Sequence, residues 1–104
     1  MEASDKMHSH MWDKIFNKNE HIVSRKIAGE LFLVPIRGKL ADMQQIFTLN
    51  PVGEYIWQEL DNQKRLKDIC NGVISTFEVE KEQAESDISD FIHELLDSDL
   101  ITEQ

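Results

Sequence analysis

The sequence predicts a small α+β domain, winged helix-turn-helix-like, in which a three-stranded antiparallel sheet is followed by three helices. Three observations carry that prediction. Between residues 22 and 49 the apolar side chains come in short, partly β-branched runs separated by turn signals. From residue 50 onward the apolar period lengthens to that of a helix. The chain has 104 residues, enough for one core and too few for two, so sheet and helices must pack on each other.

Residues 1–20 carry no clean period and read as a flexible N-terminal extension, with residues 21–104 as the folded domain. A short helix around residues 11–16 is expected to dock through Trp12 and Phe16. Residues 22–27 form the first strand and stop at Ala28-Gly29, a turn signal. The continuous apolar run of residues 31–36 suits a strand covered on both faces or flanked by others. Pro35 cannot donate to a ladder, so that strand ends or bulges there. Residues 37–42 read as a loop and residues 44–49 as the third strand.

Asn50-Pro51 opens the first helix: the Asn side chain can accept from an exposed N–H, and proline suits the first helical position. Val52, Ile56 and Leu60 then share one face. The second helix has the cleanest stripe in the chain, Leu66, Ile69, Cys70, Val73, Ile74 and Phe77. Gly72 lies inside it and costs about 1 kcal/mol relative to Ala, which suggests the close passage of another backbone. The third helix carries Ala84, Ile88, Phe91, Ile92, Leu95 and Leu96, with Val79 and Ala84 placed for a hydrophobic staple. Leu100-Ile101 is expected to fold back onto the core.

Charge is unevenly divided. The formal net charge is −9. Residues 1–49 hold seven Lys/Arg against six Asp/Glu, a net +1, and residues 50–104 hold four against fourteen, a net −10. Nine of those acids lie within residues 78–99 with Lys81 as the single base. A reader of duplex DNA needs cations to displace phosphate counterions, so repulsion opposes nucleic-acid binding even though the link between the last two helices looks like a helix-turn-helix. The same charge opposes an anionic membrane. No apolar run approaches the roughly 20 residues of a membrane span, and the acidic, His-containing N-terminus is unlike a signal peptide. One cysteine forms no intramolecular disulfide and fits a reducing cytoplasm.

Catalytic constellations are not found. Cys70 sits in an apolar helical stripe, where a thiol is buried and inert, so its pairing with His93 carries no chemistry. His8, His10 and His21 match no closed zinc set, and no metal or other cofactor is expected. The carboxylates of the third helix stand on a surface, and the glycines are isolated rather than gathered into a phosphate loop. The sequence reads as a protein that is not an enzyme.

The third strand is more informative. Residues 43–49 (Met43, Gln44, Gln45, Ile46, Phe47, Thr48, Leu49) have no charge and no proline. At a sheet edge their unpaired backbone groups would form a template for another extended chain, unguarded by lysine, proline or a bulge. A functional edge of this kind captures a peptide by strand addition. The same pattern also fits a central or covered strand. An open edge and a free N-terminal segment both permit a homodimer.

Leu49-Asn50-Pro51-Val52-Gly53-Glu54-Tyr55-Ile56-Trp57 is followed by Leu60-Asp61, Leu66-Lys67-Asp68-Ile69 and Phe77-Glu78-Val79. Asp87-Ile88, Phe91-Ile92, Leu95 and Leu100-Ile101 come after them. In this order and spacing they resemble the PqqD family, small proteins of pyrroloquinoline quinone (PQQ) biosynthesis and related peptide-modification pathways. Ser24-Arg25 and Gly29-Glu30 fit the family's first hairpin more loosely. The resemblance runs from Ile22 onward. It departs at Asn62, where glycine is common, and at Arg65, where a Ser or Thr cap is common.

The resemblance implies a non-catalytic peptide chaperone. Such a protein binds the leader of a ribosomally made precursor peptide and presents it to a modifying enzyme, commonly a radical S-adenosylmethionine protein. It implies that the leader adds beside Gln45, Ile46, Phe47, Thr48 and Leu49. Leader side chains would enter a groove faced by Ile46, Thr48, Ile88, Ile92, Leu95 and Leu96. The acidic face of the third helix (Glu85, Asp87, Asp90, Glu94) would select a basic leader or dock the enzyme. A structural or interaction subunit of a modifying complex without leader binding, and a winged-helix DNA-binding protein, are the alternatives.

Overall fold

The computed structural model describes residues 11–104. Residues 1–10, including His8 and His10, lie outside the described residues. In chain order the elements are β1 (Phe16–Lys18), β2 (Ile22–Ile27), β3 (Glu30–Pro35), α1 (Lys39–Asp42), β4 (Phe47–Leu49), α2 (Pro51–Glu59), α3 (Leu66–Phe77), α4 (Lys81–Asp97) and β5 (Ile101–Glu103).

The three-stranded antiparallel sheet has the order β2-β3-β4, so β3 is central and β4 is an edge. Register pairs Val23 with Val34, Arg25 with Phe32 and Ile27 with Glu30 on one side. On the other it pairs Leu31 with Leu49, Phe32 with Thr48 and Leu33 with Phe47. Ala28 and Gly29 close the β2–β3 hairpin at φ 53° and 84°. Positive φ at both loop positions is what a two-residue hairpin turn requires, because its twist then matches that of the strands. The apolar run in β3 is not covered on both faces. Leu31, Leu33 and Pro35 are buried, while Phe32 and Val34 are half-buried on the outer face.

Two segments differ from the sequence reading. The expected loop at 37–42 contains the helical turn α1, and β4 is three residues long rather than six. One cause accounts for the short strand. The register of β3 and β4 would place Gln45 opposite Pro35, which has no N–H to give. The Gln45 N–H instead donates to the Leu40 carbonyl at 3.1 Å, and Gln44 turns the chain at φ 56°. The third strand is therefore ended by a proline in its neighbour.

The N-terminal segment also differs. Helical geometry covers residues 11–13, and Phe16 belongs to a strand. Strand β1 pairs antiparallel with β5, Phe16 opposite Glu103 and Lys18 opposite Ile101. Phe16 is buried, and Trp12 packs against the core. The Leu66 N–H donates to the Lys14 carbonyl at 2.9 Å, and the Arg65 guanidinium donates to the Asp13 carbonyl at 2.6 Å. Arg65 precedes α3 without capping it and instead ties the N-terminal segment down.

The helices begin and end as local chemistry dictates. Asn50 Oδ1 accepts from the Gly53 N–H at 2.7 Å, and Pro51 takes the first helical position. Asn62 adopts the left-handed region at φ 68°, which asparagine tolerates. Helix α4 ends in a Schellman motif: the Leu100 N–H donates to Leu95 C=O and the Asp99 N–H to Leu96 C=O, with Asp99 at φ 60°. That reversal sends Leu100 and Ile101, both fully buried, back onto the core as expected. Ile56, Trp57, Leu66, Ile69, Val73, Ile88 and Ile92 fill the space between helices and sheet, each large side chain contributing about 1.5–3 kcal/mol.

Gly72 is explained by a side chain rather than by a backbone. A Cβ there would lie 2.1 Å from Tyr55 Oη and 3.1 Å from its ring. The Tyr55 ring is held edge-on to Phe77, centroids 5.7 Å apart. Gly72→Ala should therefore lower stability by about 1–2 kcal/mol despite alanine's better helix propensity, since overpacking outweighs it. Tyr55→Phe in that background should recover part of the loss, as read by urea unfolding.

Asp61 supplies a pH-dependent contact. Its carboxylate accepts from Lys64 Nζ and from the Lys64 and Gln63 N–H groups, each at 3.0 Å. These bonds, the lysine side chain's first, hold its pKa down at about 2. A pKa lowered in the folded state stabilises above the unfolded value near 4 and is lost as pH falls through about 2. Wild type should exceed Asp61→Asn in melting temperature at pH 6, with the gap closing as the pH approaches 2.

Candidate functional site

The hydrogen-bond phase of the sheet decides what its β4 edge offers. Residues flanking a two-residue hairpin loop form a hydrogen-bonded pair, and such pairs alternate along antiparallel strands. Ile27 and Glu30 are therefore bonded, as are Arg25 with Phe32 and Val23 with Val34. The Ile36 N–H donating to His21 C=O at 2.9 Å continues the same phase. Glu30, Phe32 and Val34 thus spend their backbone groups on β2, and Leu31 and Leu33 turn theirs to Leu49 and Phe47. Thr48 is left as the one residue of β4 whose N–H and C=O both point away from the sheet, and it is exposed.

Side chains alternate oppositely. Phe47 and Leu49 face inward toward α4, and Thr48 faces outward beside Phe32. Between β4 and α4 runs a groove of about 250 Å³. Its apolar lining is Ile46, Phe47, Leu49, Phe91, Leu95 and Leu100, with Glu94 and Ser98 at the rim. A second groove of about 370 Å³ shares Phe91 and Glu94 with the first and continues past the start of α2. Val52, Gly53 and Ile56 form its floor, and Asp87 and Asp90 stand on its wall. Apolar lining beside the open edge thus gives way to carboxylates beyond it. Asp87, Asp90 and Glu94 make no ion pair among the described residues.

The residues singled out from the sequence separate into three groups. Ile46, Phe47, Thr48, Leu49 and Leu95 meet at the edge and groove. Ile88 and Ile92 are fully buried and present nothing to the groove. Gln45 lies in the turn before β4, and Leu96, half-buried, falls outside the groove lining. Glu85 lines neither groove and instead shares a pocket with Trp12 and Asp90. Sequence reasoning did not place Phe91, Glu94, Ser98 or Leu100 in the groove, though it gave Glu94 a role on the acidic face of the helix. The first three lie three and four residues apart beside Leu95, on the helix face next to the Ile88–Ile92 stripe, so helical arithmetic could have found them.

The other candidate groups are inert by position. Cys70 is buried, and that burial pushes its thiol pKa up, keeping it protonated. His93 Nδ1 lies 2.7 Å from the Ser89 carbonyl of its own helix. Lys18, its pKa lowered by burial against the pull of Asp61, lies 5.2 Å from the Trp57 ring centroid. Among the described residues no three His, Cys, Asp or Glu side chains gather as a metal site, and no helix is long and apolar enough to cross a membrane.

The family model for coenzyme PQQ synthesis protein D (PqqD) matches residues 30–101. The chain belongs to the PqqD family. No curated protein matches it. Two solved structures resemble it. TbiB1 in complex with the TbiA(beta) leader peptide is 26% identical, with a TM-score of 0.68 over 82% of this chain and 93% of that one. Lasso peptide synthetase B1 complexed with the leader peptide is 22% identical, with a TM-score of 0.70 over 84% of this chain and 96% of that one. The second likeness bears on the fold alone.

The phase of the edge is directly testable by proline. Thr48→Pro removes an N–H that serves no strand and should cost less than about 1 kcal/mol. Phe47→Pro removes an N–H bonded to Leu33 C=O and should cost about 1–3 kcal/mol. Urea unfolding of the two variants checks the difference.

Proposed function

We propose that this chain is a non-catalytic recognition module for the leader of a ribosomally made precursor peptide. The leader adds to β4 as a further antiparallel or parallel strand and presents the attached peptide to a modifying enzyme. The observation that carries the reading is the outward N–H and C=O of Thr48 beside an apolar groove. One guest residue exchanges hydrogen bonds with Thr48, and its two neighbours, pointing inward by alternation, enter the groove over Phe91 and Leu95.

Membership of the PqqD family supports this reading, as does the 26% identical TbiB1, solved with a leader peptide. By that family resemblance the enzyme is a radical S-adenosylmethionine protein acting in PQQ or related peptide-natural-product synthesis. The guest strand's main chain supplies affinity and the groove supplies selectivity for large apolar side chains two residues apart. Glu94 and the wall of Asp87 and Asp90 favour a cationic residue where the guest runs past Leu49.

The test is fluorescence anisotropy with a labelled leader from the precursor peptide encoded beside this chain's gene. Wild type should bind in the micromolar range. Thr48→Pro should bind at least about tenfold more weakly, the loss of roughly one net hydrogen bond. Wild type that leaves the leader unbound at high micromolar concentration would overturn the reading. Thr48→Pro that binds normally would move the guest to another edge.

A further inference from the structure

Among the described residues, three of the five large apolar side chains that stand in the open lie on the outer face of the sheet. All five large apolar residues exposed among the described residues (Val23, Ile27, Ile36, Met43 and Ile46) fall between positions 23 and 46. Alternation puts Val23 and Ile27 on the outer face and continues it to Ile36, whereas Met43 follows α1 and Ile46 lines the groove beside β4. Leu31, Leu33 and Pro35 take the inner face, so Phe32 and Val34 look outward, and register sets Val23 beside Val34. Arg25, Phe32 and Thr48 form a row across all three strands.

Charge on this side is weakly opposite to that of the chain as a whole, with Arg25, Arg37 and Lys39 against Glu30 and Asp42. Arg25 lies in that row, and Arg37 and Lys39 lie in the connection leaving β3. None of the three makes an ion pair among the described residues. Lys14, Lys26, Lys64 and Lys67, by contrast, are all paired. Among the described residues Lys18, Arg65 and Lys81 also make no ion pair, but Arg25, Arg37 and Lys39 are the three that lie beside the exposed apolar residues, while Asp87, Asp90 and Glu94 stand without an ion pair along α4.

We propose that this outer face docks the enzyme that modifies the bound peptide, through a protein surface with an apolar centre and an acidic rim. The inference rests on the leader-binding reading above and adds the enzyme's position. Charge argues against a second copy of this chain, and size against any stable partner on this face alone. Three strands at about 4.8 Å spacing and six residues at about 3.4 Å each give roughly 300 Å², against about 800 Å² per partner in a stable complex. Two such chains also repel. A leader paired at Thr48 changes this balance, because it adds a fourth strand and extends the face. Its residue opposite Thr48 points outward in the row of Arg25 and Phe32, so an enzyme covering the face touches sheet and guest together. Binding of leader and enzyme is then mutually reinforcing, by one and the same factor.

Calorimetry with the full-length chain, the leader and the purified modifying enzyme encoded beside its gene tests this. Arg25→Glu combined with Arg37→Glu, and separately Ile27→Ser, should weaken enzyme binding at least about tenfold. Both should leave leader affinity within about twofold. On wild type, leader should tighten enzyme binding about fivefold or more, and enzyme should tighten leader binding equally. Variants that bind the enzyme like wild type would overturn the proposal. So would light scattering that shows a wild-type dimer broken by Arg25→Glu, which would assign the face to a second copy. Loss of leader binding by wild type itself would sink the leader reading instead, and the leader-only titration separates the two failures.

Discussion

The two-residue turn at Ala28-Gly29 sets the hydrogen-bond phase of the sheet, and the rest of the site depends on that phase. Counting from the turn, every second residue of β3 faces β2 and every other one faces β4. The count continues across β4 and leaves Thr48 open. A turn one residue longer would exchange the roles: Phe47 and Leu49 would offer their amides outward, and their side chains would leave the core. Ala28 holds φ 53° in this turn, a conformation costing roughly 1 kcal/mol for a residue with a Cβ. The packing of Leu31, Leu33 and Leu49 beneath the sheet maintains it.

Pro35 supplies the second constraint. By withholding one N–H it stops β4 at three residues, and the chain coils into α1 instead. A short edge is itself a guard against indiscriminate strand pairing. In the proposed function the groove between β4 and α4 supplies the selectivity that so brief a ladder lacks. Helix α4 is anchored by Ile88 and Ile92 in the core, which fixes Phe91 and Leu95 opposite the edge. The Schellman reversal at Asp99 brings Leu100 back to close the groove's far end. Backbone phase, groove and helix anchoring thus converge on one exposed threonine.

Much of this was legible in the residues. Asn50-Pro51 announced α2 because its cap and first-turn chemistry are local. The stripe of α3 was plain because six apolar residues recur at helical spacing. An uncharged third strand left an edge and a central or covered strand equally open, and the sheet order makes it an edge. What escaped depended on partners distant in sequence. The end of β4 is decided by a proline in another strand, and β1 and β5 are three-residue strands too short to show a period. Asp99 occupies a position usually marked by glycine. Ile88 and Ile92 were assigned to the groove with Leu95 because a stripe shows which face is apolar. It does not show how deep each residue lies, and the groove belongs to the adjoining line through Phe91 and Glu94.

Amide hydrogen exchange by NMR reaches the central claim most directly. In the free chain Phe47 and Leu49 should be protected and Thr48 should exchange quickly. Saturating leader peptide should slow exchange at Thr48 while leaving its two neighbours as they were. A Thr48 amide already protected in the free chain, or one still fast under saturating leader, would contradict the account.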